Sequence, residues 1–96
     1  KTDIREIDPK MITFLLSLSP VQFRAKSNPG ALRYGYIAQE VEKTLNSLGL
    51  TKEAFAGIEI QNGEYGLIYE QFIALNTLAI QILYKKIAEL EKEIGR

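Results

Sequence analysis

The residues that could do chemistry in this chain are few and restricted in kind. Its 96 residues include no histidine and no cysteine. That removes thiolate nucleophiles, His-containing triads, disulfide frameworks, zinc fingers and most transition-metal sites together. Basic, acidic and phenolic side chains remain. Arg24, Lys26 and Arg33 flank a stretch rich in Asn, Pro and Gly, a setting in which cations can bind phosphate. Three scattered basic groups about a turn are more often a solvated face, and that is the expectation here. Glu40 and Glu42 lie too far apart around a helix to act as a catalytic pair. Tyr34, Tyr36, Tyr65 and Tyr69 have no basic field around them and read as strand packing, not as a platform for stacked bases. No cofactor motif and no metal-ligand set is visible. Lys1 on its own carries no information.

Composition narrows the function classes further. Apolar residues make up 46% and charged residues 25% of the chain, as in a folded soluble domain. Twelve basic and twelve acidic groups cancel, so no field attracts nucleic acid or an anionic membrane. Residues 1–50 carry seven basic and five acidic groups and residues 51–96 the reverse, too small an asymmetry to name a partner. The apolar run Met11–Leu18 is too short to span a bilayer, and Phe72–Tyr84 is interrupted by Asn76, Thr77 and Gln81, so neither a signal peptide nor a spanning segment is expected.

Local signals place the elements that would position these groups. Asp8 before Pro9 starts a helix, with Met11, Phe14, Leu15 and Leu18 at helical spacing and Pro20 ending it. Val21 to Ala25 reads as a strand, Lys26 to Gly30 as a loop and Arg33 to Ile37 as a second strand. A helix follows from Ala38 to Leu48, with Val41, Leu45 and Leu48 on one face and Gly49 as its C-terminal cap. Thr51 to Phe55 adds a helical turn. Ile58–Gln61 and Glu64–Tyr69 flank Asn62-Gly63, the strongest short hairpin signal in the chain. A last helix runs from Glu70 to the end.

That last helix carries the most informative pattern. Ile73, Ile80, Ile87 and Ile94 recur every seven residues. The full heptad seam is Ile73, Asn76, Ile80, Leu83, Ile87, Leu90, Ile94, with Asn76 the one polar residue at a d position. A lone helix with such a stripe is marginal in water, so the chain is built to assemble. Ile at a with Leu at d leans to two strands, and the seam alone leaves dimer and trimer open. Asn76 reads as a register-setting residue. The other reading is a polar layer holding water or an anion inside an odd-numbered bundle. Lys86 at g meets Glu91 at e of a neighbour, which favours parallel chains. Leu75, Leu78 and Ile82 form a second stripe, expected to pack on the body, while residues 83–96 project as a coil about 20 Å long.

Gly35-Tyr36-Ile37-Ala38-Gln39-Glu40-Val41 resembles the "GFIAQEV" signature of the endosialidase-type intramolecular chaperone domain. Lys1-Thr2-Asp3-Ile4 resembles that family's "LK-x-x-I" opening, and Leu18-Ser19-Pro20-Val21-Gln22-Phe23 its "L-x-P-V-x-F". Tyr65 to Tyr69 with Glu70 resembles the strand before the final helix, and Leu75 to Leu83 the helix itself. Such domains sit at the C-terminus of phage tailspikes, tail fibres and neck appendages, and inside the myelin regulatory factor. The resemblance implies a homotrimer that nucleates an upstream β-rich fibre and is then cut away by a serine and a lysine five residues later, in "S-D-x-x-L-K". Lys1 matches that lysine; the serine would lie outside this sequence.

The resulting expectation is an α+β chain. A body at residues 1–69, of helix, short strands, helix and β-hairpin, is continuous with a coiled-coil helix at 70–96 that forms a trimer. Its expected function is chaperoning a phage fibre or tailspike, without cofactor, nucleic acid or membrane. The setting implied is the host-cell cytoplasm during virion assembly, with release from the mature virion. The fragment itself would be inert as a peptidase. The alternative is a permanent trimerisation cap that is never cleaved, and a free-standing enzyme on external substrates finds no support.

Overall fold

A computed structural model describes residues 1–95. Along the chain it forms α1 (Lys10–Leu16), β1 (Val21–Ala25), β2 (Asn28–Gly35), α2 (Ala38–Ser47), a 3₁₀ turn at Lys52–Ala54, β3 (Ile58–Gln61), β4 (Glu64–Leu67) and α3 (Glu70–Glu93). The class is α+β: helices with two separate antiparallel hairpins, β1–β2 and β3–β4.

Capping chemistry sets most boundaries where the sequence places them. The Asp8 carboxylate accepts the N–H of Lys10 at 2.9 Å, so a side chain satisfies one of the free donors at the start of α1. At the end of α2 the Leu50 N–H reaches the Leu45 carbonyl at 3.2 Å and the Gly49 N–H reaches Asn46 at 3.0 Å. Gly49 sits at φ +77° between them, which completes a Schellman cap. Asn62 and Gly63 both take positive φ, 52° and 78°, as a two-residue turn between paired strands requires.

Several boundaries differ from expectation: β2 ends at Gly35 and β4 at Leu67, where the strands were expected to reach Ile37 and Tyr69, and two further differences have a clear cause. Asn28, Pro29 and Gly30, read as loop from composition, belong to β2, and the turn shrinks to Lys26-Ser27. The register breaks between Phe23 and Ala25, leaving Pro29 in an irregular stretch of an edge strand, where its missing N–H breaks no regular ladder. The last helix ends at Glu93, not at the terminus, because Gly95 turns left-handed at φ +74° and leaves Ile94 as C-cap. The projecting part from Leu83 to Glu93 is therefore about 16 Å long, shorter than expected.

The core is built from Met11, Phe14, Val41, Leu45, Phe55, Ile58, Phe72 and Leu75, with Leu15, Leu18, Tyr36, Leu48, Leu50 and Leu67 packed around it. Phe14, Leu45 and Val41 are the most deeply buried. A ladder of rings runs through this core. Phe14 lies 5.1 Å from Phe55, Phe55 meets Phe72 edge-on at 5.0 Å, and Phe72 stacks on Tyr36 at 5.0 Å. The β1–β2 hairpin stands outside it, exposed along most of both strands.

The body-facing side of α3 is rotated from the expected stripe. Phe72, Leu75 and Ala79 are buried, while Leu78 and Ile82 are half-buried at its margin. Beyond Ile82 the helix leaves the body. The radius of gyration is 16.5 Å, against about 12 Å for a compact chain of this length. The protruding helix and the β1–β2 hairpin, which stands outside the core, both extend the molecule.

Candidate functional site

The signature segment Gly35–Val41 is the junction from β2 into α2, and its residues divide into two sets. Gly35, Ala38 and Val41 are buried, and Tyr36 is half-buried in the aromatic ladder. Ile37, Gln39 and Glu40 face solvent. Gly35 is required by close approach. A methyl group there would overlap the Tyr69 hydroxyl and come within 3.1 Å of its Cζ and 3.5 Å of the Phe23 ring. The same hydroxyl accepts the N–H of Tyr36 at 3.3 Å, and the Tyr36 and Tyr69 rings stack at 6.3 Å. Tyr69 is the N-cap residue of α3. The motif thus clasps the start of the long helix. Glu40 adds a negative charge to the first turn of α2, where the helix dipole favours one.

The seam runs along a separate, exposed stripe of α3, beside the one that carries the core residues Phe72, Leu75 and Ala79. Ile73, Ile80, Ile87 and Leu90 are 63%, 67%, 57% and 58% exposed, and Leu83, Ile94 and Asn76 are exposed with them. Leaving this many large aliphatic side chains in water forfeits the burial that each would gain, about 1.5–3 kcal/mol. A contiguous apolar strip of this kind marks an interaction surface. Tyr69 lies four residues before Ile73, in the d register, so the strip continues past the helix start. Heptad spacing carried that signal, although the seam as read from sequence began at Ile73.

The family model described as the chaperone of endosialidase matches residues 1–50. The chain belongs to this family. The match takes in Lys1, the signature segment and the Schellman cap of α2, and stops before the 3₁₀ turn. Neither curated proteins nor solved structures give a match. The contact between Gly35 and Tyr69 joins the matched half of this chaperone-family chain to the half that carries the seam.

The remaining candidate residues do not form a reactive constellation. Lys1 is exposed in the irregular segment that precedes α1. Arg24, Lys26 and Arg33 all lie on the β1–β2 hairpin, and the Arg24 guanidinium donates to the Pro29 carbonyl at 3.1 Å. Glu42 accepts a 2.9 Å hydrogen bond from the Tyr65 hydroxyl, tying α2 to β4. That bond and the Glu42 charge raise the Tyr65 phenol above its ordinary pKa. Tyr36 and Tyr69 pack as rings in the ladder, whereas Tyr34, expected to pack within a strand, is 74% exposed. Among the described residues no cluster of three or more acidic side chains could hold a metal ion. Among the described residues no helix is long and apolar enough to cross a membrane.

Proposed function

We propose that this chain is an intramolecular chaperone that trimerises and registers an upstream β-rich fibre or tailspike, and that serine self-cleavage at its N-terminal boundary releases it. Membership of the chaperone family supports the role. The observation that carries the assembly half is the Ile/Leu seam along α3, exposed beside the chain's own core.

Fibres of intertwined strands depend on non-local contacts, so they fold slowly and aggregate easily. Three chains joined through a coil are held at high effective concentration and in common register. Removing the nucleator afterwards leaves the fibre kinetically trapped in its folded form. For the cleavage step, a lysine activates a serine only in its neutral form, which requires desolvation or neighbouring positive charge. Lys1 is solvent-exposed in the single chain, so assembly would have to supply that environment. Cleavage would then report on correct trimerisation. The setting of such a cycle is the host cytoplasm during virion assembly.

Sedimentation equilibrium tests assembly: a stable species near three times 10.8 kDa is expected, and a monomer overturns it. A precursor carrying Ser-Asp upstream of Lys1 tests release. Self-cleavage is expected to be lost with Ser→Ala and slowed strongly by Ile80→Asp. Cleavage at the normal rate in the dissociated Ile80→Asp precursor overturns the coupling. A precursor that trimerises and stays whole leaves the uncleaved cap as the function.

A further inference from the structure

We propose that Asn62, in the β3–β4 turn, is a site of spontaneous deamidation at which the chain converts slowly into aspartyl and isoaspartyl forms. The proposal does not depend on the assembly reading. The chain has four asparagines, and their backbone settings separate them. Deamidation begins when the nitrogen of the following residue attacks the asparagine Cγ. That nitrogen must carry a removable proton, lie outside a regular hydrogen-bond ladder and have little bulk beside it. Asn28 fails at once, because Pro29 has no N–H. Asn46 and Asn76 lie inside α2 and α3, where the N–H groups of Ser47 and Thr77 belong to the helical ladder. Asn62 meets all the conditions. Gly63 follows it, between the last paired residues Gln61 and Glu64, with open space where a side chain would stand.

The surroundings give water access and the turn freedom to open. Asn62 is exposed and borders a cleft of about 300 Å³ with Glu59, Gln61, Glu64, Tyr65 and Gly66. To bring the Gly63 nitrogen to Cγ, Asn62 must leave its left-handed conformation at φ 52°. Opening a single ladder pair, Gln61 with Glu64, permits this. The two strands have only four residues each, and Ile58, at the end away from the turn, is the one buried residue in them. Opening at such a tip costs far less than unfolding the domain.

The chemistry needs only water and hydroxide. Hydroxide takes the Gly63 amide proton as the nitrogen bonds to Asn62 Cγ. The Cγ–Nδ2 bond breaks, water returns a proton to Nδ2, and ammonia leaves behind a succinimide ring. Water then opens the ring. Attack at Cγ yields aspartate, and attack at the backbone carbonyl yields isoaspartate, with one extra methylene in the main chain. Either product places a new carboxylate beside Glu59 and Glu64. The isoaspartyl form also lengthens a two-residue turn whose backbone angles are set at both positions, so the Gln61–Glu64 pairing should be lost with it.

The test incubates the full chain in mildly alkaline buffer, with and without urea, and maps the products by peptide mass spectrometry. Isoaspartate is assayed by enzymatic methylation of its carboxylate. In the folded chain Asn62 should convert at least ~10-fold faster than Asn46 or Asn76, because tip opening precedes helix opening, and the rate should rise with pH. The thermal midpoint of the wild type should fall as isoaspartate accumulates. Asn62→Gly keeps a residue suited to positive φ, and its midpoint should stay constant through the same incubation. If Asn62 remains intact in the folded chain and converts only in urea, the turn protects it and the proposal is overturned. Conversion of Asn46 or Asn76 at an equal rate overturns the selectivity. An unchanged midpoint in chains rich in isoaspartate overturns the predicted loss of pairing.

Discussion

The Tyr69 hydroxyl occupies the space in which a side chain at Gly35 would begin, and it accepts the neighbouring Tyr36 N–H at 3.3 Å. Two residues 34 positions apart are thereby interlocked, one in the signature motif and one at the origin of the long helix. The glycine of the motif therefore serves the helix that carries the seam, and several measurable consequences depend on this joint and its neighbours.

Gly35→Ala should destabilise the chain by about 1–3 kcal/mol, as overpacking does in a site that cannot open freely. Tyr69→Phe removes the atom in conflict but leaves the ring carbon 3.1 Å from the new methyl. The double variant should accordingly recover part of the loss, with a coupling of about 0.5–3 kcal/mol for residues in direct contact. Urea unfolding of the four forms of the cycle measures this; strict additivity would show that the clasp is not the cause.

Asn76 is the one polar residue in the helical seam, and it is exposed in the single chain. Asn76→Leu should strengthen self-association while broadening the choice of stoichiometry, because a buried polar residue at a core position sets register at a cost in stability. Native mass spectrometry of the variant should show mixed oligomers where the wild type shows one.

The Glu42–Tyr65 bond makes stability depend on pH in the alkaline range. The folded-state phenol has a raised pKa, so the bond's contribution is complete below the unfolded value of about 10 and is lost as pH rises through the higher folded value. Glu42→Gln should bring the Tyr65 ionisation back toward about 10. Ultraviolet difference titration against the wild type checks the shift, and Tyr65→Phe should abolish the difference between the two backgrounds.

Gly63 holds φ +78° in the β3–β4 turn with open space around it. Gly63→Ala should therefore cost about 1 kcal/mol through backbone conformation alone. Gly66 in the adjoining strand also has open space and no positive φ, so Gly66→Ala should not share that backbone penalty. Thermal melts of the two variants separate a left-handed requirement from simple crowding.

Much of this architecture was legible from short-range signals. Asp8-Pro9, Gly49 and Asn62-Gly63 each set a boundary, because capping and turn chemistry act within a few residues. Asn28–Gly30 misled, since loop-forming residues are also tolerated in an irregular edge strand. Gly95 was missed as the stop of the last helix. The stripe on the body side of α3 was only partly read: Phe72 and Ala79 are buried there, and heptad arithmetic drew attention to the neighbouring stripe.

By itself the sequence determined the α+β order of elements, the heptad seam, the absence of histidine and cysteine chemistry, and the motif that marks the chaperone family. These are properties of spacing and composition, which need no knowledge of distant neighbours. The tertiary structure alone decided which face of α3 meets the core, that Tyr69 fills the space left by Gly35, and that Ile37 and the β1–β2 hairpin remain uncovered. Each of those depends on close packing between segments far apart in the chain, where one hydroxyl or one missing methyl sets the fit.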